Sequence, residues 1–231
     1  MPIIILMTVF IAWPFIDAAW TSMTIRTMTR ETRFVGLDNY IRLYSDPYYH
    51  QAVRATFVFT AGAIFFKLIF GLIAATLLHP LKRGRNLLIG LVLLPWIVPS
   101  VVQALAWKSI YDPLFGGLNP ILQGLGLIER PLSWLADPHL AMASVIAVNV
   151  WAGIPFFTVN ILAGMASIDS EMYEAASIDG ANGWDKFRHI TLPSLRFVIA
   201  VATLLSTIWT FNNFETIFLL TQGGPGNITK V

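Results

Sequence analysis

Long apolar segments alternate with shorter polar ones along most of this chain. Each apolar segment is close to the ~20 residues that a helix needs to cross ~30 Å of hydrocarbon. Its apolar positions are continuous rather than alternating, which favours membrane-spanning helices over the strands of a β-barrel. The pattern predicts an all-α, polytopic transmembrane bundle in one domain, with five visible spans at about residues 3–20, 56–78, 87–107, 140–164 and 195–214.

Composition also indicates a bilayer environment. Of the 231 residues, 56% are hydrophobic and only 12% are charged, a charged share well below that of soluble domains. Mean hydropathy is +0.67. The net charge of +2 is too small to indicate a nucleic-acid partner.

Side chains suited to catalysis or metal binding are sparse. The chain has no cysteine, which excludes disulfides, thiolate catalysis and cysteine-ligated metals. The histidines lie far apart in the sequence, and no metal, cofactor or catalytic residue is expected from them. They are His50, His79, His139 and His189.

Loop charge leaves the orientation of the spans open. The short loop 79–86 contains three basic residues, which is typical of the cytoplasmic side. Segment 112–138 has a single arginine and looks external. With loop 79–86 inside, segment 21–55 would also have to be external, although its five arginines are typical of the cytoplasmic side. Segment 3–20 lacks a basic leader and a small-residue cleavage site, so we expect a retained span rather than a signal peptide. Its start at Met1 indicates a shortened N-terminus.

The longest polar stretch between late spans is 165–193, and it predicts two short helices. Asp169, or the serine after it, can cap the first helix, and Gly180 can end it in a left-handed turn. Asn182 can cap the second helix, and Pro193 then begins the next span. The small residues on the first helix would let another backbone approach closely, as a docking surface requires. A plain connector between two spans is the alternative.

Residues 174–193 read EAASIDGANGWDKFRHITLP. This string resembles the cytoplasmic signature of binding-protein-dependent ABC importer permeases: Glu-Ala-Ala, three residues, Gly, nine residues, Ile-x-Leu-Pro. Asp179 fits its carbohydrate-permease version. The stretches FVGLDNYIRLYSDP, LLPWIVPS, WAGIPFF and FNNFETIFLLTQGGP also resemble carbohydrate permeases.

The resemblance implies the type I ABC importer permease fold in a bacterial inner membrane, surrounded by lipid. It implies a second permease subunit, as a heterodimer, two ATPase subunits, and a periplasmic binding protein that delivers a sugar or related solute. Such relatives have a further span after the Gly-Gly-Pro segment, so a sixth span is expected to be missing at the C-terminus. The implied ATPase-coupling residues in loop 165–193 are Glu174, Ala175, Ala176, Asp179, Gly180, Ile190, Leu192 and Pro193.

Polar residues inside spans are costly and are therefore candidates for contact with solute, although many only hold helices together. With the resemblance, the candidate substrate path consists of Trp96, Ser100, Asn149, Gly153, Phe156, Ser206, Thr210 and Asn213. The two aromatic residues would supply flat faces for a sugar ring. Lys67 lies within the second span. We prefer to interpret it as snorkelling or pairing with an acid of a partner subunit; the alternative is an anionic substrate.

Rival functions lack the residues that they need. An ion-coupled secondary transporter would require a carboxylate at mid-membrane depth, and no predicted span has one. An intramembrane enzyme would require a nucleophile, an acid pair or a metal-ligand set. A purely structural membrane protein would not explain the string at 174–193.

Overall fold

The computed structural model describes residues 2–26 and 32–230. They fall into two compact units, Met1–Gln51 and Ala52–Val231. The elements of the first unit are α1 (Pro2–Ser22), β1 (Thr24–Arg26), β2 (Thr32–Phe34), α2 (Asp38–Tyr44) and the start of α3 (Pro47–Leu78). The predicted segment 3–20 lies inside α1.

In the first unit, α1 is followed by a small antiparallel hairpin that the hydrophobic pattern did not predict. Thr24 lies opposite Phe34 in its register. The side-chain amide of Asn39 donates to the carbonyls of Ser22 and Thr24, at 2.9 and 3.0 Å. Phe34 stacks on Trp20 with ring centroids 5.4 Å apart. These contacts hold the end of α1, the hairpin and α2 together.

The second unit contains the rest of α3 and eight further helices in the part of the chain that the structure describes. These are α4 (Arg85–Ile97), α5 (Ser100–Ile110), α6 (Leu118–Gly124), α7 (Ala141–Ala166), α8 (Ser170–Ile178), α9 (Gly183–Ser194), α10 (Arg196–Phe211) and α11 (Phe214–Thr221).

Helix α7 is the centre of this unit. Its residues belong to two buried clusters. Phe157 and Ile161 pack with Ala75 and Leu195 in one, and Val145 and Val148 pack with Phe59 and Ala104 in the other. Half of its most apolar window is buried, against 28% for α3. Both helices are apolar on all sides, as expected for spans that face protein on one side and lipid on the other.

The buried face of α3 is a stripe of mostly small residues at four-residue spacing, which places them on one side of the helix. A Cβ on Gly71 would lie 2.4 Å from the Cβ of Phe157 in α7. Small residues of this kind let two membrane helices approach closely. The stripe is Ala55, Phe59, Ala63, Lys67, Gly71 and Ala75.

The predicted span at 87–107 is broken in the structure. Helices α4 and α5 meet at an angle of 94°, with Val98 extended and Pro99 before the first residue of α5. Pro99 has no backbone N–H to donate, and its ring disfavours a helical conformation at the residue before it, Val98. The Gln103 amide donates to the carbonyls of Pro95 and Val98, both at 2.7 Å, so the break leaves these two carbonyls paired.

A second bend of 63° separates α9 from α10. The structure thus has three unbroken helices long and apolar enough to cross a membrane, and five such segments if each bent pair is counted as one, within residues 2–26 and 32–230. The predicted segment 56–78 lies within α3, and segment 140–164 lies within α7 except for its first residue. Segment 195–214 corresponds mainly to α10.

Candidate coupling and translocation site

Helices α8 and α9 form a helical elbow (residues 169–194) whose turns are fixed by local hydrogen bonds. The carboxylate of Asp169 accepts from the backbone N–H of Glu171 at 3.0 Å. Gly180 has φ +80°, and beyond it the N–H of Ala181 donates to the carbonyl of Ala176 at 2.8 Å. These are the cap and the left-handed end that the sequence predicted.

The second helix of the elbow begins with a capping box. The side-chain oxygen of Asn182 accepts from the N–H groups of Trp184 and Asp185, and Asp185 accepts from the N–H of Asn182. The ammonium of Lys186 donates to the Ser177 hydroxyl at 2.6 Å and thereby ties α9 to α8. The elbow is consequently a defined shape rather than a loose connector.

The outer surface of the elbow is apolar and exposed. Ile178 is 87% exposed and Trp184 is 65% exposed, and the Trp184 ring stacks on Phe187 at 5.6 Å. Of the predicted coupling residues, two are partly buried, Ala176 and Ile190. The other six are exposed: Glu174, Ala175, Asp179, Gly180, Leu192 and Pro193.

Two of the predicted substrate-path residues meet around a lysine inside the bundle. The ammonium of Lys67 donates to the Thr210 hydroxyl at 2.9 Å, in a buried contact. The lysine stem runs against Gly153, where a Cβ would lie 2.4 Å from Lys67 Cε. The lysine is 5% exposed, so the interpretation that it snorkels to the membrane surface is wrong. The structure does not test pairing with another subunit.

Three aromatic side chains form a group close in sequence to Gly153 and Thr210, the two residues that contact this lysine. Phe156 is one turn along α7 from Gly153, and its ring lies 6.2 Å from that of Trp96 and 5.0 Å from that of Trp209. The indoles of Trp96 and Trp209 are about half exposed. The sequence named Trp96 and Phe156 but missed Trp209. The one signal in the sequence that could have indicated Trp209 was its position next to the predicted residue Thr210.

The remaining candidates occupy different environments. Asn149 is buried, and its side-chain oxygen has no hydrogen-bond partner among the residues that the structure describes. Ser206 is also buried, one turn before Thr210 on α10. The other two make structural hydrogen bonds: Ser100 donates to the Glu215 carboxylate, 115 positions away, at 2.6 Å, and Asn213 caps α11 by accepting from the N–H of Thr216.

Comparison with known proteins agrees with this architecture. Residues 67–229 match the family model described as "Binding-protein-dependent transport system inner membrane component". The chain is 37% identical over 230 residues to the trehalose/maltose transport system permease protein of Thermococcus litoralis, covering 99% of this chain and 77% of that protein. It is 33% identical over 232 residues to the lactose transport system permease protein of Rhizobium radiobacter, with 99% and 77% covered.

The fold is also found among solved structures. A bacterial ABC transporter for import of the acidic polysaccharide alginate contains a chain that matches with a TM-score of 0.83 at 24% identity, covering 100% of this chain and 77% of that one. The predicted all-α permease bundle and the resemblance seen at residues 174–193 are thereby confirmed. The chain is an inner-membrane protein and belongs to the family of inner-membrane components of binding-protein-dependent transport systems.

Proposed function

We propose that this chain is one permease subunit of an ATP-driven importer for a carbohydrate. With a second permease it would form the translocation path, above two ATPase subunits that hydrolyse ATP. A periplasmic binding protein would deliver the solute. Family membership supports the dependence on a binding protein, and the relatives named for trehalose/maltose and lactose transport support a carbohydrate as the solute.

The exposed helical elbow is the observation that supports this function most directly. Its internal hydrogen bonds fix its shape before any partner binds, which lowers the entropy lost on docking. It presents the apolar side chains of Ile178 and Trp184 and the carboxylate of Glu174, which has no ion-pair partner among the described residues. A surface of this kind can enter a groove on an ATPase subunit and follow its movement.

The substrate path would run beside α7 and α10. The rings of Trp96, Phe156 and Trp209 offer apolar faces for a sugar, and the unpartnered oxygen of Asn149 offers an acceptor for a hydroxyl. Sites for small solutes combine such apolar walls with a few polar groups. In this proposal the chain itself has no catalytic residue, because its role is to move between two arrangements that the solute and the ATPase favour differently.

Substitution of Gly180 tests the coupling role. Any side chain at φ +80° adds strain of about 1–2 kcal/mol, and in G180D a second carboxylate lies next to Asp179 on the docking surface. We expect membrane insertion to be retained, while ATP-driven uptake and binding-protein-stimulated ATP hydrolysis by the reconstituted importer fall at least about tenfold, a change of ~1.4 kcal/mol.

Gly126 offers the matched control. It also has a left-handed backbone, with φ +70°, and an added Cβ would meet nothing within 4 Å at either glycine. G126D introduces the same side chain and similar strain outside the elbow, so uptake should stay at the wild-type level. Unchanged uptake in G180D, or equal loss in both variants, would contradict the coupling assignment.

A further inference from the structure

The loop between α3 and α4 (residues 79–86, the basic loop) carries unbalanced positive charge. It contains Lys82, Arg83 and Arg85, whereas segment 47–111, which includes both flanking helices, has no aspartate or glutamate. The side chains of these three residues make no ion pair or hydrogen bond with any residue that the structure describes. The basic loop is therefore a cationic site that the described part of the chain does not neutralise.

An open cleft lies at this loop. Its volume is about 720 Å³, and its lining includes His79, Lys82, Arg85 and Asn86. The Nε atom of Arg85 is buried and has no hydrogen-bond partner among the described residues. Leaving a buried donor of a charged group without an acceptor is costly, so an acceptor from outside this chain would stabilise the arrangement.

The start of α4 adds further donors to the same cleft. Gly84 precedes the helix with φ +73°, and no side chain caps the helix, so its first N–H groups are left for an outside acceptor. Free N–H groups at the start of a helix favour anions such as phosphate. A Cβ on Gly84 would meet nothing within 4 Å, which leaves space for such a group.

Exposed leucines adjoin the cationic cleft. Leu81 and Leu87 line it, and Leu77 on α3 and Leu91 on α4 are also exposed. The basic loop directly follows α3, which is long and apolar enough to cross a membrane, so we place it at the depth of the lipid headgroups. A ligand with both a phosphate and acyl chains matches the cations and the leucines together, whereas a soluble anion matches only the cations.

The basic loop lies on the same side of the subunit as the helical elbow. His79 and Pro80 line a second cleft, of about 480 Å³, together with Tyr173 and Phe187 of the elbow. Under the proposed function this is the cytoplasmic side. Anionic lipids give the cytoplasmic leaflet a negative surface potential that attracts basic segments next to a span.

We propose that the basic loop binds the headgroup phosphate of an anionic phospholipid. Lys82 and Arg85 donate to the phosphate oxygens, and the acyl chains lie along the exposed leucines. An acidic surface of an ATPase subunit is a weaker explanation, because it would leave those leucines uncovered. A role in orienting the spans during insertion requires neither a cleft nor a buried arginine donor.

The test is native mass spectrometry of the purified importer complex in detergent micelles, titrated with phosphatidylglycerol or with zwitterionic phosphatidylcholine. We expect wild type to bind phosphatidylglycerol at least about tenfold more tightly than phosphatidylcholine. Arg85→Gln should weaken the binding of phosphatidylglycerol by about tenfold, because a charge-assisted hydrogen bond to the phosphate is lost.

Arg54→Gln is the matched control. Arg54 is an exposed arginine near the other end of α3, and its removal should leave the affinity of the cleft for phosphatidylglycerol at the wild-type value. Unchanged binding in Arg85→Gln, or an equal loss in both variants, would overturn the inference.

Two further measurements identify the occupant. Inorganic phosphate in large excess should not displace phosphatidylglycerol from wild type, and displacement by an equal concentration would show a site for a soluble anion instead. The ATPase subunits should stay bound in Arg85→Gln. Their release with no change in bound phosphatidylglycerol would show that the basic loop docks a protein, and would also overturn the inference.

If Arg85→Gln does not assemble, the salt dependence of wild type is sufficient. Raising the salt concentration screens exposed charges, so it should weaken the binding of phosphatidylglycerol towards that of phosphatidylcholine. Equal affinities for the two lipids at low salt would overturn the inference. None of these measurements depends on uptake, so the proposed function is tested separately.

Discussion

Single glycines determine how closely helices approach in this bundle. At Gly71, a Cβ would lie 2.4 Å from the Cβ of Phe157 and 3.2 Å from the backbone nitrogen of Thr158. Backbone atoms cannot move aside as a flexible side chain can. Gly90 in α4 differs, because a Cβ there would meet nothing within 4 Å. Gly90 should therefore tolerate a larger residue, whereas Gly71 should not.

Gly71→Ala should destabilise the folded chain, because α3 and α7 must move apart to admit the methyl group. Overpacking of this kind costs about 1–3 kcal/mol. The measurement is the denaturant midpoint of the purified protein in mixed micelles. Gly90→Ala is the control and should be neutral or stabilising by about 1 kcal/mol at most, since alanine favours a helix more than glycine does. Equal midpoints for the two variants would contradict the close approach.

At the scale of elements, the break between α4 and α5 depends on one amide. Gln103 donates to two carbonyls that the break leaves without helical partners. Inside a membrane such groups have to be satisfied by protein or water. This explains why a polar residue lies at a buried position in an otherwise apolar segment.

Gln103→Leu should therefore lower the free energy of unfolding by about 1–3 kcal/mol, the cost of leaving a buried hydrogen-bonding group without its partner. Gln123→Leu is the matched control, because the Gln123 amide makes one exposed bond of 3.3 Å to the carbonyl of Glu129. Both variants can be compared by the same denaturation experiment in micelles. A larger loss in the Gln123 variant would show that the break does not depend on Gln103.

The elements differ in how far the sequence predicted them. The segments in α3 and α7 were found because an uninterrupted apolar run of about 20 residues has few other interpretations. The hairpin β1–β2 was missed, since strands of three residues give too short a pattern to detect. The span predicted at 87–107 contains Pro95 and Pro99, which can kink a helix, but the 94° angle between α4 and α5 is not encoded by a local pattern.

The candidate site was predictable where its geometry is local. The caps at Asp169 and Asn182 and the left-handed Gly180 follow from residue chemistry within a few positions. Lys67 and the residues that contact it lie on three helices that are far apart in the sequence. The hydrogen bond from Lys67 to Thr210 joins two residues that are 143 positions apart. The aromatic group that includes Trp209 likewise brings together residues that are distant in the sequence.

At the scale of the whole molecule, α7 fixes the sidedness of the two loops that it joins. It is a single unbroken helix of 26 residues, about 39 Å at 1.5 Å per residue. That length exceeds the ~30 Å of the hydrocarbon core. The loop before α7 and the elbow after it must then lie on opposite faces of the membrane.

Cysteine labelling tests this arrangement without background, because the chain has no cysteine of its own. Ile178→Cys and Leu125→Cys each replace a well-exposed apolar residue, one on the elbow and one in the loop before α7. We expect a membrane-impermeant maleimide to label position 178 only in inverted vesicles, prepared without the ATPase subunits that would cover it, and position 125 only in intact spheroplasts. Labelling of both from one side would contradict the proposed topology.

The broken span has a consequence for the lipid around this subunit. Helix α4 has 13 residues and rises only about 20 Å, and the chain then turns almost at a right angle into α5. Non-helical backbone at that depth exists only where protein or water, and not acyl chains, surrounds it. If α4 and α5 together form one broken span, we expect the turn between Ile97 and Ser100 to face another subunit or an aqueous cavity rather than acyl chains.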